Sequence, residues 1–136
     1  MIYTSYFARL KDLPSNVVPV AICGGIPNWY KGKQYRKLVP VYDAFIRWKC
    51  DRDDELYNEA YKEQVLNRLN PLDVIMDLHM LMPEVFDLDM RSPVYTSPDY
   101  HIALICYERP DDFCHRHLVA DWLNEHGIKC EEWKFT

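Results

Sequence analysis

The chain has 136 residues, of which 49% are hydrophobic and 27% are charged, and its formal net charge at pH 7 is −5. These values are typical of one soluble domain with a single core, and they exclude a protein that is basic throughout, as many nucleic-acid-binding proteins are. No apolar run approaches the ~20 residues needed to span a bilayer, and five cysteines without a secretory signal favour free thiols in a reducing compartment. We therefore expect a single cytoplasmic domain over residues 1–136 that does not contact membranes.

The first predicted strand covers residues 2–7 and is rich in Thr, Tyr and Phe. Its carboxyl end carries Thr4, Ser5 and Tyr6. Because ligands of open α/β sheets bind outside the carboxyl ends of the strands, these three residues are candidates for substrate binding. For Ser5, a surface hydroxyl at the edge of the sheet is an equally good interpretation.

The second predicted strand covers residues 16–23 and contains Pro19, which favours an edge position or a strand that starts near Val20. Gly24 and Gly25 end this strand in a turn that permits close approach of a ligand. Residues 26–40 form a predicted loop in which aromatic residues alternate with lysine and arginine. Such a loop can hold a phosphate and stack a base, or its aromatics can cover the core while its charges are solvated.

Three helices are predicted next, followed by an irregular segment and the strands that close the fold. A short helix covers residues 41–49. A second helix is capped by Asp53 or Asp54 and runs to about residue 69, and a third begins after the cap Asn70 and runs to about residue 81. Residues 82–100 contain three prolines and are predicted to be irregular. A short last strand is predicted over residues 129–135.

The segment from residue 102 to residue 123 predicts a buried strand, a polar loop and a helix that begins near Cys114. Asp111 or Asp112 is expected to cap this helix, and Gly127 is expected to end it in the left-handed conformation. The first turn then holds Cys114, His115 and Arg116 at the positive end of the helix dipole.

Free N–H groups and an arginine at a helix start form an anion site, and a thiol there is expected to have a lowered pKa and to be nucleophilic. We therefore predict Cys114, His115, Arg116 and Glu108 as catalytic residues, with His115 or Glu108 moving protons. Cys106 is expected beside them, either as a wall of the substrate site or as a redox partner. Structural roles for Cys106 and Cys114 are the alternative, since cysteine is often buried in cores.

Three kinds of site do not fit the spacing of these residues. The Cys/His spacing matches no common zinc motif, so we expect no metal and no other cofactor. No glycine-rich nucleotide-binding pattern occurs. A phosphatase of the Cys-x5-Arg kind is disfavoured, because the sixth residue after Cys106 is Asp112 and the sixth after Cys114 is Ala120.

The segment from Leu104 to Leu123, with its Cys-x-Glu and Cys-His-Arg motifs, resembles the family called domain of unknown function 488. The sequence YTSYFA from Tyr3 to Ala8, and the pattern Pro27-x-Trp29 followed by YxxLxP from Tyr35 to Pro40, extend the resemblance over most of the chain. The resemblance implies a compact Rossmann-like α/β fold and supports the polar end of the first strand as part of the site. It implies no particular activity. Residues 82–100 are longer than the corresponding link of the family.

Together these patterns predict an α/β fold, a single-domain Rossmann-like sandwich with a mostly parallel sheet of at least four strands and helices on both faces. The leading hypothesis is an enzyme that acts on a small anionic substrate, such as a nucleotide or a phosphorylated metabolite. A nucleotide- or nucleic-acid-binding module without catalysis is one alternative. A redox or metal role for the pair Cys106 and Cys114 is the other.

Overall fold

Five parallel strands form one sheet in the computed structural model, which describes residues 1–82, 100–109 and 112–135. The strands are β1 (Ile2–Tyr6), β2 (Val17–Ala21), β3 (Lys33–Gln34), β4 (His101–Cys106) and β5 (Cys130–Glu132). The α-helices within the described ranges are α1 (Tyr42–Asp51), α2 (Asp54–Gln64), α3 (Pro71–Met80) and α4 (His115–Glu125). Short 3-10 helices cover Phe7–Asp12, Arg36–Leu38 and Leu66–Arg68. These elements confirm the predicted α/β fold with a parallel sheet.

The strand order is β3-β2-β4-β1-β5, so β4 lies in the middle of the sheet. Its register places Ile102 beside Ile2 of β1 and beside Val18 of β2. Residues 102–106 are all buried, because side chains on both faces of a central parallel strand are covered. The prediction of a buried strand from an apolar run without alternation is therefore confirmed.

The two faces of the sheet are covered differently. One face packs Ile102 and Leu104 against the apolar sides of α2, α3 and α4, and this is the larger part of the core. The other face packs Ala103 and Ile105 against the 3-10 helix Phe7–Asp12 and the loop around Tyr30. Within the described ranges, the expectation of α-helices on both faces is therefore met on one face only. The small side chains of Ser5, Ala21 and Ala103 on this second face leave room for a loop to lie close to the strands.

The predicted boundaries are mostly confirmed, with two corrections in the first half of the chain. Asp53 and Asn70 cap α2 and α3 as expected, accepting hydrogen bonds from the amides of Leu56 and Leu72. The helix predicted to reach residue 69 ends at Gln64 and continues as a 3-10 turn. Pro19 lies within an interior strand, which is tolerated because β3 pairs only with the two residues that follow it.

The short strands β3 and β5 were the elements least well predicted from the sequence. β3 has two residues and lies inside the segment that was predicted to be a loop, and β5 covers three of the seven residues predicted for it. Residues 83–99, which make up nearly all of the segment predicted to be irregular, lie outside the described residues. Within the described ranges, every helix is too short or too polar to cross a bilayer.

Gly127 ends α4 as predicted. Its φ is 80°, its amide donates to Asn124 O at 3.1 Å, and the amide of Ile128 donates to Leu123 O at 2.9 Å. This pair of bonds is a Schellman motif, which requires the left-handed conformation at Gly127.

Gly127→Ala is expected to lower the free energy of unfolding by about 1 kcal/mol, because a Cβ is strained at positive φ. Chemical denaturation measures this loss. Gly25→Ala is the matched control, since a Cβ there meets nothing within 4 Å and its φ is not positive. Equal losses in the two variants would contradict the assignment of strain to Gly127.

Candidate functional site

A cavity of about 1070 Å³ opens where β2 and β4 end and α4 begins. Its buried lining includes the thiols of Cys23, Cys106 and Cys114 and the imidazole of His115. Glu108 and residues of α1 line it further out. The position agrees with the rule that parallel sheets bind ligands at the carboxyl ends of their strands. Of the eight residues predicted for the site, four line this cavity: Cys106, Glu108, Cys114 and His115.

Cys114 stands at the N-cap of α4, directly before its first helical residue. The expected carboxylate cap is not formed: no side chain within the described ranges caps this helix, and Asp111 lies outside them. Cys114 therefore takes the position that was assigned to an aspartate. A thiolate there faces the positive end of the helix dipole, as a capping carboxylate would.

Cys106 lies at the end of β4 and contacts both Cys114 and the side chain of Glu108. The Cys106 Sγ atom is 3.5 Å from Glu108 Oε2 and 3.8 Å from His115 Nδ1. A hydrogen bond from Cys106 is the main reason that the pKa of Cys114 falls to about 3, and the positive charge of Arg116 contributes further. The same bond raises the pKa of Cys106 well above its usual range. At neutral pH Cys114 is therefore the thiolate of the pair and Cys106 the thiol.

Glu108 is half-buried beside the thiols, and its pKa is raised by burial and then by the Cys114 thiolate. A carboxyl group of this kind keeps its proton to higher pH than an exposed one, which suits an acid that protonates a leaving group. Glu108 is the glutamate of the Cys-x-Glu motif and was predicted to move protons. The structure confirms that it lines the cavity beside Cys106.

The tautomer of His115 follows from its partners. Its Nε2 atom is 2.7 Å from Ile22 O, and because a carbonyl only accepts hydrogen bonds, Nε2 carries the proton. In this tautomer the Nδ1 atom has its lone pair toward the thiols. His115 is 5% exposed, so this orientation is fixed by packing. The ring is arranged to accept a proton or to coordinate a cation at Nδ1.

Arg116 was predicted to hold an anion, and in the structure its guanidinium donates to protein oxygens. The side chain is fully buried, and its Nε and Nη2 atoms donate to the two oxygens of Glu132 at 3.1 and 3.0 Å. Nη1 donates to the carbonyl of Glu108 at 2.7 Å, and Thr4 Oγ1 donates to Glu132 Oε1 at 2.6 Å. Arg116 therefore ties α4 to β5 and fixes the backbone at Glu108. It positions the site without lining the cavity.

Thr4, Ser5 and Tyr6 are likewise not among the residues that line the cavity. Thr4 belongs to the network of Glu132, and the Tyr6 ring lies 5.7 Å from the guanidinium carbon of Arg116. Ser5 is buried, and its hydroxyl has no hydrogen-bond partner within the described ranges. The reason is topological: β1 lies on the β5 side of β4, while the cavity opens on the β2 side.

Cys23, Glu132 and Arg52 are among the residues of the site that sequence reasoning did not identify. Cys23 follows β2 and its thiol contacts Cys106, while Glu132 holds Arg116. Arg52 lines the cavity at the end of α1, with its guanidinium carbon 4.4 Å from the centre of the Trp48 ring. For Cys23 the signal was present, because a cysteine followed by two glycines stands at a strand end. For Arg52 and Glu132 no local pattern marks a role.

Arg52 is also the one non-glycine residue with positive φ within the described ranges, at φ 54° and ψ 32°. With Arg36 and Lys49 it supplies the cations of the cavity lining. A glycine is the usual residue in this conformation at a helix end, so an arginine here costs stability. Such a cost is typical of a residue with a binding role.

Arg52→Gly is therefore expected to raise the free energy of unfolding by about 0.5–1 kcal/mol while it weakens the binding of anions to the cavity. Chemical denaturation and phosphate titration measure the two effects. Lys49→Ala is the matched control, since it removes a cation from the same helix without a change of backbone strain. A loss of stability in Arg52→Gly would show that the contact with Trp48 outweighs the strain.

Comparisons of the chain with family models, with curated proteins and with solved structures found no match.

Proposed function

We propose that this protein is an enzyme that acts on a small anionic substrate, such as a nucleotide or a phosphorylated metabolite, with Cys114 as its nucleophile. The observation that carries the proposal is the position of Cys114: it lies at the N-terminus of α4, lines the cavity and contacts Cys106 and His115. A thiolate at a helix start and next to a thiol donor is a typical activated nucleophile.

The neighbouring groups support a two-step reaction. In the first step Cys114 Sγ forms a bond to the electrophilic centre, the bond to the leaving group breaks, and Glu108 gives that group its proton. In the second step water or another acceptor loses a proton to Glu108, attacks the same centre and releases Cys114. His115, whose Nδ1 atom lies 3.8 Å from Cys106 Sγ, is the second group of the cavity that can move protons in these steps.

The cations of the cavity lining favour an anionic substrate. Arg36, Lys49 and Arg52 line the cavity, and the dipole of α4 adds positive potential at its N-terminus. Trp48 and Phe113 add aromatic surface, with ring centres 5.1 Å apart. This combination is suited to a phosphate group attached to an organic body. The resemblance to the domain of unknown function 488 family and a cytoplasmic location are part of the same proposal.

Two alternative functions use the same residues differently. A nucleotide- or nucleic-acid-binding module requires the cations of the lining but not the thiol of Cys114. A redox protein requires the contact between Cys106 and Cys114, which a disulfide would replace. The first alternative predicts binding that survives loss of the thiol, and the second predicts a reversible disulfide.

The test exposes the protein to a mixture of nucleotides and sugar phosphates and follows each compound by mass spectrometry. The proposal predicts that at least one compound is consumed by the native protein and by Cys50→Ser, whose exposed thiol lies outside the cavity, but not by Cys114→Ser. Consumption that survives in Cys114→Ser contradicts the proposal. Compounds that bind without being consumed, equally in both variants, favour the binding module.

A further inference from the structure

Three metal-binding donors converge in the cavity although their spacing matches no common zinc motif. The Sγ atoms of Cys106 and Cys114 and a ring nitrogen of His115 all lie within 4.8 Å of one another. The donors come from a strand end and from the start of α4, so the fold brings them together and no local motif is needed. The expectation of no metal rested on spacing alone, and these positions give a reason to revise it.

His115 is already oriented as a metal ligand would be. Its Nε2–H donates to Ile22 O at 2.7 Å, so the lone pair of Nδ1 is free, and Nδ1 lies 3.8 Å from Cys106 Sγ. Histidines that bind metals are generally held by a hydrogen bond from the other ring nitrogen to a carbonyl or carboxylate, which fixes the tautomer. The buried backbone carbonyl of Ile22 supplies that bond here.

The distances suit a tetrahedral ion of the size of Zn²⁺. Bonds of about 2.3 Å to sulfur and about 2.0 Å to nitrogen separate the donors of one tetrahedral ion by roughly 3.6–3.8 Å. Cys106 Sγ and His115 Nδ1 already stand 3.8 Å apart. The widest pair lies within 4.8 Å, so a movement of about 1 Å brings all three donors onto one ion.

We propose that Cys106, Cys114 and His115 bind one thiophilic divalent cation of the Zn²⁺ class, with its fourth position toward the cavity. Two thiolates and a neutral imidazole balance the charge of the ion, and the thiol of Cys106 releases its proton on binding. Sulfur and imidazole donors select against Mg²⁺ and Ca²⁺, which prefer oxygen. Because the ion draws electron density from one lone pair of the Cys114 thiolate and makes it a weaker nucleophile, we expect the metal-bound protein to be the less active form of the enzyme. Only this last consequence rests on the proposed function.

The test uses the full chain after removal of metal with a chelator. Co²⁺ serves as a spectroscopic probe, because its thiolate charge-transfer band reports bound sulfur, and Zn²⁺ affinity is measured by competition with a chromophoric chelator. We expect one ion per chain and a charge-transfer band in the native protein. Cys106→Ser, Cys114→Ser and His115→Ala are each expected to weaken Zn²⁺ binding by about a hundredfold or more, since each removes one of three protein ligands.

Cys50→Ser is the matched control, because its thiol is exposed and lies outside the group of three. It is expected to bind Zn²⁺ as the native protein does. The absence of a thiolate band in native protein saturated with Co²⁺ overturns the proposal, as does equal Zn²⁺ affinity in Cys114→Ser. The first of these outcomes needs no variant and so does not depend on the folding of any substitution. If the metal binds as expected but no compound is consumed through Cys114, the metal site stands and the proposed function fails.

Discussion

Glu132→Ala is expected to lower the free energy of unfolding by about 3–5 kcal/mol, because it leaves the charge of Arg116 buried without a counter-ion. For a chain of this length the loss corresponds to a fall in melting temperature of roughly 10–17 °C. Arg116 is fully buried and donates to both oxygens of Glu132, so the substitution leaves its Nε and Nη2 groups without their protein acceptors. Thermal and chemical denaturation measure the effect.

Glu131→Ala is the matched control for this prediction. Glu131 is the preceding residue of the same strand and is exposed, so its removal is expected to change stability by less than about 0.5 kcal/mol. The double substitution Arg116→Met with Glu132→Leu is expected to lose less stability than Glu132→Ala, because no charge is left buried. Equal effects of Glu131→Ala and Glu132→Ala would contradict the structural role of the pair.

Cys106→Ala is expected to move the midpoint of the pH–rate profile for alkylation of Cys114 upward by at least about one pH unit. The hydrogen bond from Cys106 is the main cause of the lowered pKa of Cys114, and the substitution removes it. The midpoint is the informative quantity, since the intrinsic nucleophilicity of a thiolate falls as its pKa falls and partly offsets the change in rate. Protein freed of metal is used throughout.

Cys130→Ala is the control matched in size and burial, because Cys130 is a buried thiol that does not line the cavity. Its substitution is expected to leave the Cys114 profile unchanged. A Cys106→Ala profile that coincides with the native one would contradict the assignment of Cys106 as the hydrogen-bond donor.

The fold was largely predictable because the sequence patterns that indicate its helices and strands are local. The continuous apolar run of β4, the stripe of α2 that buries Tyr57 and Tyr61, and the caps Asp53 and Asn70 all depend on neighbours in the sequence. β3 was missed because two residues are too few to show alternation. The segments that cover the Ala103 and Ile105 face of the sheet were not predicted, because a loop and a 3-10 helix show no strong hydrophobic periodicity.

The site was predictable only where its residues are close in sequence. Cys106, Glu108, Cys114 and His115 share one strand–loop–helix unit, and the structure places all four on the cavity. The role of Arg116 could not be predicted, because its partner Glu132 is sixteen residues away on β5 and the pairing depends on the strand order.

Cys23 and Arg52 show the same limit. Both reach the cavity from parts of the chain that are distant from α4, and their proximity follows from the packing of the whole domain. Thr4, Ser5 and Tyr6 are the opposite case. Their polar character suggested a site at the end of β1. Instead, the order of the strands places Thr4 in the buried hydrogen-bond network around Arg116, and Tyr6 lies beside that network.

The role of Cys114 is tested most directly by its alkylation rate from pH 4 to pH 9 in metal-free protein, measured by peptide mass spectrometry with and without phosphate. Because the pKa of Cys114 is lowered to about 3, we expect a rate that is constant from about pH 5 upward and that phosphate slows. An inert Cys114, or a profile with the midpoint near ~8.5 of an ordinary thiol, would contradict the claim that Cys114 is an activated thiolate in an anion-binding cavity.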